Sequence, residues 1–208
     1  MGGYAVDTGR MVRLTLWVVL FGWGTAAVTA GVSYLALRWV AVPIVVGTVL
    51  CLAFGMLLIL LHRAAWIALL SLVPAVFVCV GAVQYAPEAA LQARGVRESV
   101  VIVADSVAET GGDNHRFTLR TTDGGEELEE RFTYNGNLGA PDVGDRLEVV
   151  RDPEGVVPME EADEVDAAGR LDGLIGGVVA WTLLAVLAGR RGYRRRRQGK
   201  EDSLLLSL

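Results

Sequence analysis

The seventeen residues from Gly173 to Gly189 contain no charged side chain, and six arginines, Arg190, Arg191 and Arg194 to Arg197, follow at once. Taken from Leu171, the run is nineteen residues long, with Asp172 alone charged near its start. About 20 apolar residues suffice to cross hydrocarbon as a helix. Arginines clustered at the exit of such a span are the strongest cytoplasmic-side signal in this chain. Residues 171–189 therefore read as a transmembrane helix and residues 190–208 as a basic cytoplasmic tail. The segment before the span is placed on the opposite side of the membrane.

The same reasoning divides the N-terminal part. From Leu14 to Ala86 only Arg38 and Arg63 carry a charge at neutral pH, along 73 residues. At about 20–25 residues per crossing this length predicts three helices. Arg38 and Trp39 separate Leu14–Leu35 from Val40–Leu61, and His62 with Arg63 separates that run from Ala65–Tyr85. Trp17, Trp39, Trp66 and Tyr85 fall near the ends, where amphipathic rings favour the headgroup layer. Pro43 lies near a helix start, and neighbouring helices can accommodate a proline such as Pro74 within a span. The fold class read here is a membrane bundle of four helices plus a small all-β domain. Both termini, including residues 1–13, are expected in the cytoplasm, and residues 87–170 outside it. Arg38 is the one charge opposed to this orientation. A cleaved signal peptide is the competing reading of the first helix, on Arg10, Arg13 and the small-residue Val28-Thr29-Ala30 stretch; against it, the apolar run continues to Ala36.

Composition agrees with a multi-pass membrane protein carrying a modest soluble part: 52% of residues are hydrophobic and the mean hydropathy is +0.42. The net charge of −5 conceals an asymmetry. Residues 87–170 hold 20 acidic and 8 basic side chains, whereas Arg190 to Lys200 carries only basic ones. Cys51 and Cys79 both lie in apolar runs, so there is neither a disulfide framework nor metal-type cysteine spacing.

Within the spans the sequence carries a packing signal. Gly22, Ala26 and Ala30, then Gly47, Cys51 and Gly55, and Gly173 with Gly177, recur at four-residue spacing, as do Ala75 with Cys79 and Ala185 with Gly189. Small residues at that interval let helix backbones approach closely. Packing into a bundle within one chain is the simpler reading, and a homo-oligomer interface is the other. No ionisable group falls at mid-membrane depth, since Arg38, His62 and Arg63 sit at span ends, so an ion path has no support. Broken helices and inverted repeats, the marks of a transporter, are not detected.

Residues 87–96 read as a short helical exit ending near Gly95, after which the texture becomes β. Glu98 to Glu109 is rich in valine, and His115 to Thr122 alternates, with Phe117, Leu119 and Thr121 on one face. Gly111 to Asn114 and Asp123-Gly124-Gly125 are turns. Leu128, Phe132 and Tyr134 share one face of a returning strand, and Leu147 and Val149 point inward on the next. Asp152-Pro153-Glu154-Gly155 turns the chain again. Residues 97–158 are thus expected to form four or five antiparallel strands in a meander, curled into a sandwich or open barrel. Residues 159–170, too acidic for a core, read as a solvated linker or short helix.

The run Val143-Gly144-Asp145-Arg146-Leu147-Glu148-Val149 followed by Asp152-Pro153-Glu154-Gly155 resembles a family of uncharacterised actinobacterial membrane proteins. Its members hold a small extracytoplasmic β domain between transmembrane helices. The resemblance covers about residues 94–158, and Arg151 stands where such proteins often have an aromatic residue. It implies an architecture and brings no catalytic residue with it.

Candidate chemistry is sparse. His115 with Asp113 and Ser99 or Ser106 offers the elements of a nucleophile, base and orienter, but a turn histidine on the polar side of a strand is more often simply solvated. The clusters Glu126, Glu127, Glu129, Glu130 and Glu160, Glu161, Asp163, Glu164, Asp166 can attract Ca²⁺, yet they lack a glycine-centred loop. No phosphate loop, dinucleotide fingerprint or zinc spacing occurs. No catalytic residue, metal or cofactor is therefore assigned. The basic tail reads as a topogenic segment facing anionic lipid of the inner leaflet rather than nucleic acid. The function expected is non-enzymatic: the β domain binds or scaffolds a protein in the cell envelope. An accessory or pore-forming transport subunit is the alternative, and a membrane-bound hydrolase a remoter one.

Overall fold

The computed structural model describes residues 8–62, 65–107, 115–134 and 139–198. The turn at Gly111 to Asn114, including Asp113, and the Leu204 to Leu208 end lie outside the described residues. The elements in chain order are α1 (Thr8–Leu35), α2 (Ala41–His62), α3 (Ala65–Leu70), α4 (Leu72–Arg94), β1 (Val96–Asp105), β2 (Arg116–Thr121), β3 (Phe132–Thr133), β4 (Arg146–Arg151), β5 (Glu160–Glu161) and α5 (Ala167–Arg197). The chain divides into a helical unit, residues 1–86 and 167–208, and a β unit, residues 87–166.

Among the described residues, four helical stretches are long and apolar enough to cross a membrane: Gly9–Leu35, Ala41–Leu60, Ala65–Arg94 and Ala167–Arg195. Their outer faces are apolar, with Leu16, Val49, Leu52, Leu69 and Leu183 all at least half exposed. A water-soluble surface rarely displays so continuous an apolar coat. The inner faces carry the core. Phe54 of α2 stacks on Trp181 of α5 with ring centroids 4.3 Å apart, and Val18, Leu58, Val78, Ala185 and Ala188 close around them. On α4 the inward positions Ala75, Val78, Ala82 and Ala86 recur at the helical period.

Proline shapes the third span. The helix is interrupted at Ser71, three residues before Pro74, whose ring crowds the preceding turn and which has no N–H to offer. The Ser71 carbonyl still accepts Ala75 N–H at 3.1 Å and also receives the Trp181 indole N–H at 3.1 Å, so α5 covers the break. Further on, Pro87 lies inside α4 and deprives the Val83 carbonyl of its helical donor. The Ser33 hydroxyl of α1 fills that place, donating to Val83 O at 2.6 Å. The helical exit expected over 87–96 is the last part of α4, which runs on to Arg94.

The helices also outrun their apolar segments. α1 begins at Thr8 rather than Leu14, with Met11 buried, and α5 covers 31 residues rather than the nineteen of its apolar run. Arginine is a good helix former, so the end of an apolar run does not by itself end a helix.

In the β unit one antiparallel sheet has the order β3-β2-β1-β4-β5. This corrects the expected meander: β4 pairs with the free edge of β1 instead of following β3, because the long, valine-rich β1 carries apolar contacts enough to lie at the centre. Val100 pairs with Thr121 on one side and Leu147 on the other. A bulge between Ile102 and Ala104 bends β1. Glu130, next to β3, accepts the Met159 N–H at 3.3 Å beside β5, so the two sheet edges approach and the sheet curls towards an open barrel. Val100, Ile102, Phe117, Leu119, Phe132, Val149 and Met159 fill its interior.

The acidic linker is corrected as well. Met159 belongs to the core, Glu160 and Glu161 pair with Val150 and Val149, and α5 starts at Ala167. Acidic side chains suit this short edge strand because both are only half buried and edge charges discourage further pairing. The returning strand containing Leu128, Phe132 and Tyr134 is reduced to an isolated Arg120–Glu127 bridge and the two residues of β3.

Two adjacent residues of β4 are buried on opposite faces. Val149 faces the barrel, while Val150 lies against Gly95 at the end of α4. Gly95 is required there, since a β-carbon would collide with the Leu91 carbonyl and the Val150 side chain.

Candidate functional site

The arginines at the end of α5 line a strongly charged concave feature of the helical unit. A cavity of about 670 Å³ is lined by Trp66, Ile67, Leu187, Arg190, Arg191, Arg194 and Arg195. Arg190 and Arg194 are one helical turn apart, as are Arg191 and Arg195, so the helix itself brings four guanidinium groups to one side. The Arg191 guanidinium carbon lies 5.6 Å from the centroid of the Trp66 ring, a cation–π contact. No carboxylate among the described residues pairs with Arg190, Arg191 or Arg194. Arg196 and Arg197 belong to α5, but their side chains lie outside the described set.

Beside this cavity an apolar groove of about 580 Å³ runs between α1 and α5, lined chiefly by Val12, Leu16, Val19 and Val186 and sharing Arg190 and Arg194. The helices meet closely here because Gly189 packs directly on Thr15, leaving no room for a β-carbon.

The small-residue candidates take several positions. Gly22 packs against Phe54 and Trp181, Gly47 against Thr29 and Cys79, and Gly177 against Val78 and the Pro74 carbonyl. Ala26 and Cys51 are buried, and Ala30 is half buried. Gly55 and Gly173 have their nearest side-chain atoms, from Ser71 and Phe77, at 3.9 and 4.0 Å from an added β-carbon. The contacts named for Gly22, Gly47 and Gly177 are within this chain.

In the β unit, His115 is tied to Asp105; the Asp113 considered for it from the sequence lies outside the described residues. Its Nδ1 lies 2.7 Å from Asp105 Oδ2, and its ring stacks on Phe117 at 5.7 Å. Burial pushes the Asp105 carboxyl up, but the His115 hydrogen bond, the Val107 N–H, the His115 charge and the Arg116 N–H outweigh it and hold the group below the usual carboxylate range. Ser106 Oγ accepts the Arg116 N–H at 3.1 Å, which gives it a place in the β1–β2 connection. Ser99 is exposed on β1, and its carbonyl accepts from Thr122. This arrangement ties the ends of two strands together. It does not bring Ser99 into a relay with His115.

The second charged group of the β unit is structural. Asp152 is buried, and its carboxylate accepts the backbone N–H groups of Glu154, Val156 and Val157, each at 3.1 Å. Arg94 at the end of α4 donates to Asp152 and Glu154, both at 2.8 Å. Burial would raise the Asp152 carboxyl, but the three N–H donors and Arg94 outweigh it and keep it low. The Asp-Pro turn is thus a self-capped loop fastened to a helix end.

The described acidic residues of the two clusters do not converge on a metal site. Glu126, Glu127, Glu129, Asp163 and Glu164 are exposed, and among the described residues no group of three side chains is placed to hold a metal ion. Glu161 is pushed up by burial, then by Asp163 and Glu164, as expected of like charges left side by side.

The Arg191–Trp66 contact and the Asp105–His115 pair were not foreseeable from spacing. A basic tail one helix from an aromatic span end was the signal for the first. No sequence pattern marks the second. No protein-family profile, curated protein or solved structure matches this chain.

Proposed function

We propose that this chain is an integral membrane protein of the cell envelope whose β unit binds or scaffolds a partner protein outside the cytoplasm. The observation that carries the reading is the insertion of a separately cored, acidic β unit between two membrane-length helices. Both ends of the unit continue into those helices, so it stays attached to the membrane part of the chain, and a binding module needs no active site. Residues 87–166 hold 20 acidic and 7 basic side chains, so the partner surface is basic. The role is non-enzymatic in this reading, with the termini cytoplasmic and the arginines of α5 on the inner leaflet. The likeness to envelope proteins that hold a β domain between membrane helices belongs to the same proposal.

Photocrosslinking in intact cells tests it, with a crosslinking residue placed singly at the exposed positions Asp123, Glu126 and Asp142. The reading expects one recurring protein adduct, lost when Glu126, Glu127 and Glu129 become lysine. Adducts only to the protein itself, or none at any position, would overturn it.

A further inference from the structure

We propose that the arginine-lined cavity at the end of α5 holds the phosphate of an anionic phospholipid, one of whose acyl chains lies in the adjoining α1–α5 groove. The proposal rests on the membrane reading above and goes beyond a general attraction of basic residues to a charged surface.

Three observations converge. Four guanidinium groups line one cavity, and no described carboxylate pairs with Arg190, Arg191 or Arg194. Like charges so close repel one another, and a phosphate relieves that repulsion while accepting the forked donors that arginine offers. On α5 the cavity runs from Leu187 to Arg195, across the end of the apolar run at Gly189, which is the depth of a headgroup phosphate when α5 spans a bilayer. Trp66 marks the same depth on α3, its ring supporting Arg191 from one side.

The apolar groove completes the match to an amphiphile. Val12, Leu16, Val19 and Val186 line it, and Arg190 and Arg194 are common to groove and cavity. Each volume, about 580 and 670 Å³, lies within the range of roughly 300–1,000 Å³ usual for ligand clefts. Basic pockets between transmembrane helices on the cytoplasmic side are suited to lipid headgroups. A soluble phosphate would use the cavity and leave the groove unfilled. A lipid uses both.

Native mass spectrometry of the delipidated full chain in detergent tests this, with titration of dioleoylphosphatidylglycerol, dioleoylphosphatidylcholine or sodium phosphate. The expected result is a retained phosphatidylglycerol adduct, with affinity falling about fivefold for each of Arg190→Gln, Arg191→Gln and Arg194→Gln. Leu16→Trp, which fills the groove, should weaken phosphatidylglycerol while all arginines remain. Equal retention of phosphatidylcholine overturns the proposal, and so does a sodium phosphate adduct that matches phosphatidylglycerol and is indifferent to Leu16→Trp. Alkaline carbonate extraction of cell membranes separates the two levels of failure. Release of the chain into the supernatant sinks the membrane reading itself, whereas retention without lipid preference sinks the lipid site alone.

Discussion

The Ser33 hydroxyl donates to the Val83 carbonyl at 2.6 Å, and Val83 is the residue whose helical hydrogen bond Pro87 removes. A serine on α1 thereby repairs a defect that a proline creates on α4. In an apolar interior an unsatisfied carbonyl is expensive, so the proline is tolerated where a hydroxyl waits for it.

Ser33→Ala should accordingly destabilise the protein by about 1–2 kcal/mol. Pro87→Ala restores an N–H one turn after Val83, and in that background the serine deletion should cost less than half as much. Thermal unfolding of the four variants in one detergent gives the coupling. Equal cost in both backgrounds would remove the link between Ser33 and Pro87.

Adjacent glycines on α5 separate close packing from mere smallness. A β-carbon at Gly177 would lie 2.7 Å from Val78 and 3.0 Å from the Pro74 carbonyl, whereas at Gly176 it meets nothing within 4 Å. Gly177→Ala should cost about 1–3 kcal/mol from overpacking. Gly176→Ala should be neutral, or stabilising by up to about 1 kcal/mol from helix propensity. Unfolding midpoints of the two variants compare them directly.

How far the sequence foretold the molecule depends on the range of the interactions involved. The four spans and their separations near Arg38 and His62 rest on local apolarity, and the helices α1, α2 and α5 follow them. The break at Ser71 and the passage of α4 through Pro87 depend on partners on other helices, Trp181 and Ser33, that no local pattern names. In the β unit, alternation identified Phe117, Leu119 and Val149 as core residues. It did not reveal that β4 crosses to the far edge of β1, or that Glu160 and Glu161 form a strand, because pairing register is a long-range property. The arginines were legible as a run. Their cavity was not, because Trp66 and the α1 side of the groove come from distant sequence.

Asp152 gives a pH dependence with a definite sign. Its folded pKa lies below the ordinary carboxylate value of about 3.9, so its stabilisation is present above that value and is lost as pH falls through the folded one. Glu161 acts in the opposite sense: with its folded pKa raised, stability from this group declines as pH rises through the folded value. Asp152→Ala should destabilise the β unit by about 2–3 kcal/mol at neutral pH and flatten the acid limb of its stability profile, while Glu161→Gln should raise neutral-pH stability slightly. Thermal unfolding of the full chain from pH 3 to pH 8 reads both.

Gly95 joins α4 to β1 without space for a side chain. Gly95→Ala should loosen the β unit by about 1–3 kcal/mol, seen as faster proteolysis within residues 87–166 of the full chain. Val150→Ala in the same chain should recover only part of the loss, because the Leu91 carbonyl remains in the way.

Cysteine labelling in intact cells tests the membrane arrangement most directly. In a background where Cys51 and Cys79 are alanine, single cysteines replace Asp123 in the β unit and Gln198 after α5, both exposed positions. A membrane-impermeant maleimide should label the Asp123→Cys chain on intact cells and the Gln198→Cys chain only after permeabilisation. Labelling of Gln198→Cys from outside, with Asp123→Cys protected until the membrane is opened, would contradict the account.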